Sequence, residues 1–150
     1  MKAQFIDLNL EIEPEVTIET QRSLTFGTVA TNTGRHSVGL GDVNMGIFSI
    51  RALERQELII SMDKPNSLSH NNPAIGQTIP IELFARYGFS YDNFRDSNIL
   101  SGPTNNIVME PDPESGPWNT MYIFIYGAIE ISNIPTGIYN TQVVLNVEYL

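Results

Sequence analysis

The sequence predicts an all-β protein, an antiparallel β-sandwich or jelly roll formed by a single domain over residues 1–150. Apolar and polar residues alternate over several short segments, and Gly, Pro and Asn residues separate these segments. A chain of 150 residues has the length of one domain and can bury a core of its own. Because it contains 0 Cys, it has no disulfide framework, thiolate nucleophile or sulfur-based zinc site.

The first alternating segment lies at the N-terminus. Its apolar face carries four residues with polar or acidic residues between them: Ile6, Leu8, Leu10 and Ile12. This period of two predicts a half-buried strand. Pro14 interrupts the pattern, but Val16 and Ile18 keep its phase, so we expect a bulge or an edge strand there.

Further strands are predicted at residues 24–26, 38–40, 47–52, 58–62, 78–87, 121–126, 128–131 and 141–149. We expect residues 58–62 to form a hairpin with residues 47–52. Pro80 indicates a strand that lies at an edge or is just beginning. Residues 67–73 and 88–117 are predicted to be loops, the second a long one whose prolines exclude regular helix over most of it. The one helical candidate, residues 50–58, lacks an apolar stripe and is set aside.

The charge balance argues against nucleic acid and anionic membranes as partners. The chain has 17 acidic and 8 basic residues, a formal net charge of -9, so its long-range field repels phosphate. No apolar run approaches the roughly 20 residues that cross a bilayer. Asp7 interrupts the segment where a secretory signal would be continuously apolar, so we expect synthesis in the cytoplasm without a signal peptide.

Catalytic motifs are absent from the sequence, and we expect neither enzymatic activity nor a cofactor. The two histidines, His36 and His70, both lie in polar segments predicted as loops, and no Gly-x-Ser-x-Gly or phosphate-binding glycine motif occurs. One predicted loop carries five oxygen-bearing residues of the kind that Ca²⁺ prefers: Asp92, Asn93, Asp96, Ser97 and Asn98. Their spacing does not match an EF-hand, and the same residues are typical of turns, so no metal site is predicted.

Aromatic residues concentrate around the long predicted loop: Tyr87, Phe89, Tyr91, Phe94 and Trp118. Such rings can line a carbohydrate-binding surface. The same rings can instead pack the loop against the sheet, and we favour that interpretation.

Two motifs carry a family resemblance. The segment Leu24-Thr25-Phe26-Gly27-Thr28-Val29 resembles the Leu-x-Phe-Gly-x-Val signature of bacterial surface β-sandwiches, a group that includes uncharacterised secreted domains and spore-coat-U and fimbrial-type subunits. Near the end, Pro135, Gly137 and Tyr139 before the last strand are similar to the Pro-x-Gly-x-Tyr turn of the same domains. The resemblance implies structural roles, with Gly27 turning the chain after Phe26 and Gly137 leading into the terminal strand.

Members of that group carry signal peptides, whereas this chain begins at its first strand. The combination suits a protein of a phage-like virion, and we expect a non-enzymatic capsid decoration, cement or minor structural subunit located in the virion. The alternative is a carbohydrate-binding adhesin or a pilus or surface-appendage subunit. Expected partners are further copies of the chain and another structural protein, such as a major capsid protein.

The N-terminus is the expected assembly contact. Chain ends are usually disordered unless something holds them. Residues 1–5 precede the first alternating segment, so we expect a neighbouring subunit to hold this end of the chain. We therefore predict that residues 1–12 contact a neighbouring subunit through Phe5, Ile6, Leu8 and Leu10. Strand edges near Pro14 and Pro80 are further candidates for pairing with another chain.

Overall fold

The computed structural model describes residues 1–12, 16–114 and 116–150. Its strands are β1 (Val16–Arg22), β2 (Gly34–Val38), β3 (Gly46–Leu53), β4 (Glu57–Asp63), β5 (Ser67–His70), β6 (Thr78–Gly88), β7 (Asn98–Ile99), β8 (Thr104–Val108), β9 (Trp118–Ile131), β10 (Tyr139–Asn140) and β11 (Val144–Tyr149). One short 3-10 helix covers Phe94–Asp96.

The strands form two antiparallel sheets. Sheet A has eight strands in the order β1-β3-β9-β6-β5-β10, with β2 also beside β9 and β7 beside β6. Sheet B has three strands in the order β11-β4-β8. The all-β sandwich predicted from the alternating segments is confirmed.

The main core lies between the two sheets. Ile50, Met121 and Ile123 of sheet A and Leu58 and Ile60 of sheet B are fully buried there. Each strand contributes every second residue to this core, as the period of two requires. A smaller cluster lies on the outer face of sheet A, where Phe124 is buried beneath three neighbours, Val38, Met45 and Ile47.

The predicted hairpin between residues 47–52 and 58–62 is wrong. β3 pairs with β1 and β9, whereas β4 pairs with β11 and β8, so the connection crosses from sheet A to sheet B. Arg55, at a φ of 64°, makes the crossing, and its N–H donates to the Met109 carbonyl at 2.7 Å. The crossing lets the apolar faces of both strands meet in one core, which a flat hairpin does not allow.

Both predicted loops contain strands. Residues 67–73 include β5, and residues 88–117 include β7, β8 and the short helix. β8 lies between Pro103 and Pro111, so the prolines limit the strand without preventing it, and Ile107 joins the core. The two strands predicted at residues 121–126 and 128–131 are one strand, β9, because Gly127 continues the ladder.

Two local strand predictions also need correction. Residues 24–26 form no strand, and β2 ends at Val38 instead of starting there. Pro80 lies near the beginning of β6, which confirms one of the two positions predicted for it; the other is wrong, because β6 runs between β9 and β5 and is not an edge. The predicted bulge at Pro14 lies outside the described residues. In the described part of the chain, no helix is long and apolar enough to span a membrane.

The N-terminal strand prediction is wrong for this chain on its own. Residues 1–12 belong to neither sheet. The apolar side chains are exposed by 85% to 92% at Phe5, Ile6, Leu8, Leu10 and Ile12. The alternation is present in the sequence, but none of the residues that the structure describes covers its apolar face.

Candidate functional site

An open apolar groove of about 1040 Å³ lies between the sheets. One wall is residues 23–31 and the other is residues 134–145. The floor is the inner face of sheet A, with Leu83, Ile125 and Ile129 among its side chains. The groove is therefore a part of the sandwich where sheet A has no covering strand.

The course of β1 and the width of sheet B explain where the groove opens between the sheets. β1 contacts β11, and near the start of β1 the Leu53 N–H donates to the Tyr149 hydroxyl at 2.8 Å. Further along, β1 ends at Arg22, and the following residues 23–31 lie outside both sheets. Sheet B is only three strands wide, so it does not extend over the floor beyond β11.

The two sequence motifs lie on opposite walls of this groove. Leu24, Phe26, Gly27 and Val29 line the first wall. Pro135, Gly137 and Tyr139 line the second. At Gly27 the φ of 72° is in the left-handed region, and its N–H donates to the Thr25 hydroxyl at 3.1 Å, so the chain turns there after Phe26.

His70 supports the second wall. Its Nε2–H donates to the Thr136 carbonyl at 3.0 Å, and its Nδ1 accepts from the Asn72 N–H at 2.9 Å. Its ring packs edge-on against Tyr139 at 5.0 Å, and a Cβ at Gly137 would overlap the imidazole. Both ring nitrogens are thus used in structural bonds, and the histidine fixes the turn that carries the second motif.

His36 also has a structural partner. The Thr33 hydroxyl donates to the Ala30 carbonyl at 2.7 Å, so the His36 Nε2–H donates to the Thr33 oxygen, also at 2.7 Å. In this tautomer Nε2 cannot take a proton from that hydroxyl. Neither histidine is arranged as a general base for a nucleophile.

The edge of β11 away from β4 offers backbone hydrogen-bonding groups, and Val144 and Leu145 at the start of this strand line the groove. The Leu150 N–H donates to the Glu57 carbonyl at 3.0 Å, which makes the even-numbered residues of β11 those bonded to β4. The backbone groups of Leu145 and Val147 therefore point away from β4. In the described part of the chain β11 has no second partner strand, so this edge can accept one.

The residues considered for calcium form local bonds instead. The Asn93 amide donates to the Asp96 carboxylate at 2.7 Å, and the Ser97 hydroxyl donates to the Phe94 carbonyl. Among the residues that the structure describes, no cluster of three metal-ligating side chains occurs.

The aromatic residues considered for carbohydrate binding divide into two groups. Tyr87 and Phe89 pack against the main core, and Phe94 packs on Phe124 at 6.4 Å. Tyr91 and Trp118 instead lie on the outer face of sheet A. Tyr91 meets Tyr122 edge-on at 5.4 Å there. Sequence reasoning missed Tyr122, although its even position in β9 would have placed it on that face.

The sequence matches no protein-family model and no curated protein.

Proposed function

We propose that this chain is a non-enzymatic structural subunit that assembles by placing residues 1–12 of one copy in the groove of the next. The observation that carries the proposal is that one chain contains both an exposed strand-like apolar segment, here called the arm, and an apolar groove without a covering strand. Exposure of either apolar surface to water is unfavourable. An extended arm has the shape of the strand that is missing over the groove.

The arm matches the groove in chemistry. Its apolar residues at positions 6, 8, 10 and 12 fall on one face when the backbone is extended, and this face spans about 20 Å at 3.3 Å per residue. The groove presents an apolar floor below and the free edge of β11 beside it. An arm placed there buries its apolar face on the floor and bonds its backbone to Leu145 and Val147.

The geometry favours a second copy as the source of the arm. The arm precedes β1, whose first residue Val16 pairs with Ala52 at the end of sheet A away from the groove. The groove begins at Thr20, about 13 Å further along β1 at 3.3 Å per residue. In the described structure the apolar side chains of the arm are exposed and none of residues 1–12 lines the groove, so the arm does not fill the groove of its own chain.

Assembly of this kind joins two different surfaces of the chain. An arm leaves from one end of the sandwich and enters a groove at the other, so the contact is heterologous and produces rings or open polymers. A polymer subunit corresponds to the appendage alternative, and this geometry supports it over a capsid decoration, which attaches to a surface already built. Location in a virion and contact with a major capsid protein stay predictions, tested by incorporation into particles.

The first experiment compares the full chain with a variant that lacks residues 1–12. Light scattering after size exclusion should show concentration-dependent oligomers for the full chain and monomers for the shortened one. A fluorescent peptide with the sequence of residues 1–12 should bind the shortened chain and raise its melting temperature. A control peptide with aspartate in place of Leu8 and Leu10 should do neither.

Two results would contradict the proposal. A monomeric full chain that excludes the peptide, together with a shortened chain that binds it, would mean that the arm fills its own groove. Failure of the folded, shortened chain to bind the peptide would mean that the groove is not the site of the arm.

A further inference from the structure

The outer face of sheet A contains a second, smaller cavity of about 280 Å³, on the opposite side of the sheet from the groove. The register of β1, β3 and β9 aligns Glu19, Ser49 and Tyr122 in one row across its floor. Arg51 and Thr120 form part of the next row, and Tyr91 closes one side from the loop after β6. The cavity therefore combines aromatic rings with hydrogen-bonding side chains on a rigid sheet.

The polar groups of this cavity are held in place before any ligand arrives. The Gln21 amide nitrogen donates to the Ser49 hydroxyl at 2.8 Å and to the Glu19 carboxylate at 3.2 Å. With both of its N–H groups engaged, the Gln21 amide presents its carbonyl to a ligand hydroxyl. The Arg51 guanidinium stacks on the Trp118 ring, 4.6 Å from its centroid. Fixed side chains lose less entropy on binding than mobile ones.

We propose that this cavity binds a neutral saccharide. A sugar ring has an apolar C–H face that packs on aromatic rings, here Tyr91 and Tyr122, and hydroxyls at its rim that bond to planar polar groups. The cavity supplies such groups in Gln21, Glu19 and Arg51. Its volume is close to the lower end of the roughly 300–1,000 Å³ range of small-ligand sites, which suits one or two sugar units.

Charge selects a neutral ligand over an anionic one. The cavity holds one cationic and one anionic side chain, Arg51 and Glu19, which offset each other. The whole chain carries a formal charge of -9, so the surrounding field repels uronic or sialic acid groups. Because the cavity and the groove lie on opposite faces of sheet A, a polymer held together by arms can still expose the cavity on each copy.

The test is a glycan array followed by calorimetric titration of the full chain with the best neutral oligosaccharide. Tyr91→Ala removes one stacking ring from an exposed loop position and should weaken binding by about twofold to tenfold, given the worth of an aromatic contact. Gln21→Ala should weaken it as well. Phe84→Ala is the matched control, because Phe84 is an exposed aromatic on the same outer face, stacked on Tyr126 outside the cavity. Its binding should equal that of the parent chain.

Three outcomes would overturn the proposal. The parent chain could bind no neutral glycan, it could bind acidic glycans only, or Phe84→Ala could lose as much affinity as Tyr91→Ala. Circular dichroism of each variant separates lost binding from lost folding, and the exposed position of Tyr91 makes folding of that variant the expected result.

Discussion

Thr31 and Ile134 exchange two hydrogen bonds although 103 residues separate them in the sequence. The Thr31 hydroxyl donates to the Ile134 carbonyl at 3.0 Å, and the Ile134 N–H donates to the Thr31 oxygen at 3.1 Å. Nearby, the Asn32 N–H donates to the Ser132 carbonyl at 2.9 Å. These bonds join the two walls of the groove at one end and so set its width there.

Thr31→Val should lower the free energy of unfolding by about 1–2 kcal/mol, because a hydroxyl that both donates and accepts is replaced by a methyl group of similar size. The arm peptide should also bind more weakly, since the walls are no longer joined by this side chain. Urea unfolding and peptide anisotropy measure the two effects.

Thr28→Val is the control for that change. Thr28 lines the same wall, and within the described residues its side chain makes no hydrogen bond. Equal losses in the two variants would mean that the Thr31 bonds do not hold the groove.

The strand segments could be predicted from the sequence because each strand buries one face. Their partners could not be predicted in the same way. Phe48 lies opposite Ile123 in the sheet, and nothing in the residues around Phe48 indicates that contact. The error of pairing β3 with β4 has this cause, since a short connection suggests a hairpin unless the sheet that each strand joins is known.

The arm shows a different limit of the same reasoning. Alternation of Ile6, Leu8 and Leu10 with polar residues indicates that one face is to be buried, but it does not indicate which chain buries it. The groove was also beyond prediction, because its walls are two motifs that the sequence presents as separate turns. Only the fold brings Gly27 and Gly137 to the same opening.

Gly127→Ala should destabilise the fold strongly. A Cβ at this position would overlap the Glu82 carbonyl oxygen, a backbone atom of the adjacent strand β6 that cannot move aside without distorting the ladder. We expect a loss of about 1–3 kcal/mol, as for overpacking in a core, measured as a lower midpoint of urea unfolding.

Gly39→Ala serves as the comparison for the Gly127 change. A Cβ added at Gly39 would meet no atom within 4 Å, and the backbone there lies outside the left-handed region, so this substitution should leave the midpoint nearly unchanged. If the Gly127→Ala protein were as stable as this control, the backbones of β6 and β9 would have to be further apart at Gly127 than the structure places them.

The loss of assembly caused by an aspartate substitution in the arm should alternate with residue position, large on the apolar face and small on the polar face. Leu8→Asp should weaken assembly by tenfold to a hundredfold, since the burial of one leucine contributes about 1.5–3 kcal/mol. Asn9→Asp, one residue along on the opposite face, adds the same charge and should have little effect. Sedimentation velocity at several concentrations measures both. Equal losses at both positions would indicate an effect of charge alone and would contradict burial of one face.

Hydrogen exchange of the β11 amides gives the most direct measure of arm placement. The Val144 amide points to β4 and should exchange slowly in the shortened chain, whereas the Leu145 amide points to the open edge and should exchange fast. Adding the arm peptide should slow exchange at Leu145 and Val147, because an added strand bonds to these groups, and should leave Val144 almost unchanged. NMR exchange spectra resolve the individual amides.

The peptide with aspartate at the positions of Leu8 and Leu10 should leave the exchange pattern of the shortened chain unchanged. If the native peptide binds but protects neither Leu145 nor Val147, the arm occupies the groove without extending sheet B, and the proposed strand pairing is wrong. If it protects the edge of β8 instead, the contact lies on the other side of sheet B, where Thr104–Val108 forms the second free edge in the described part of the chain.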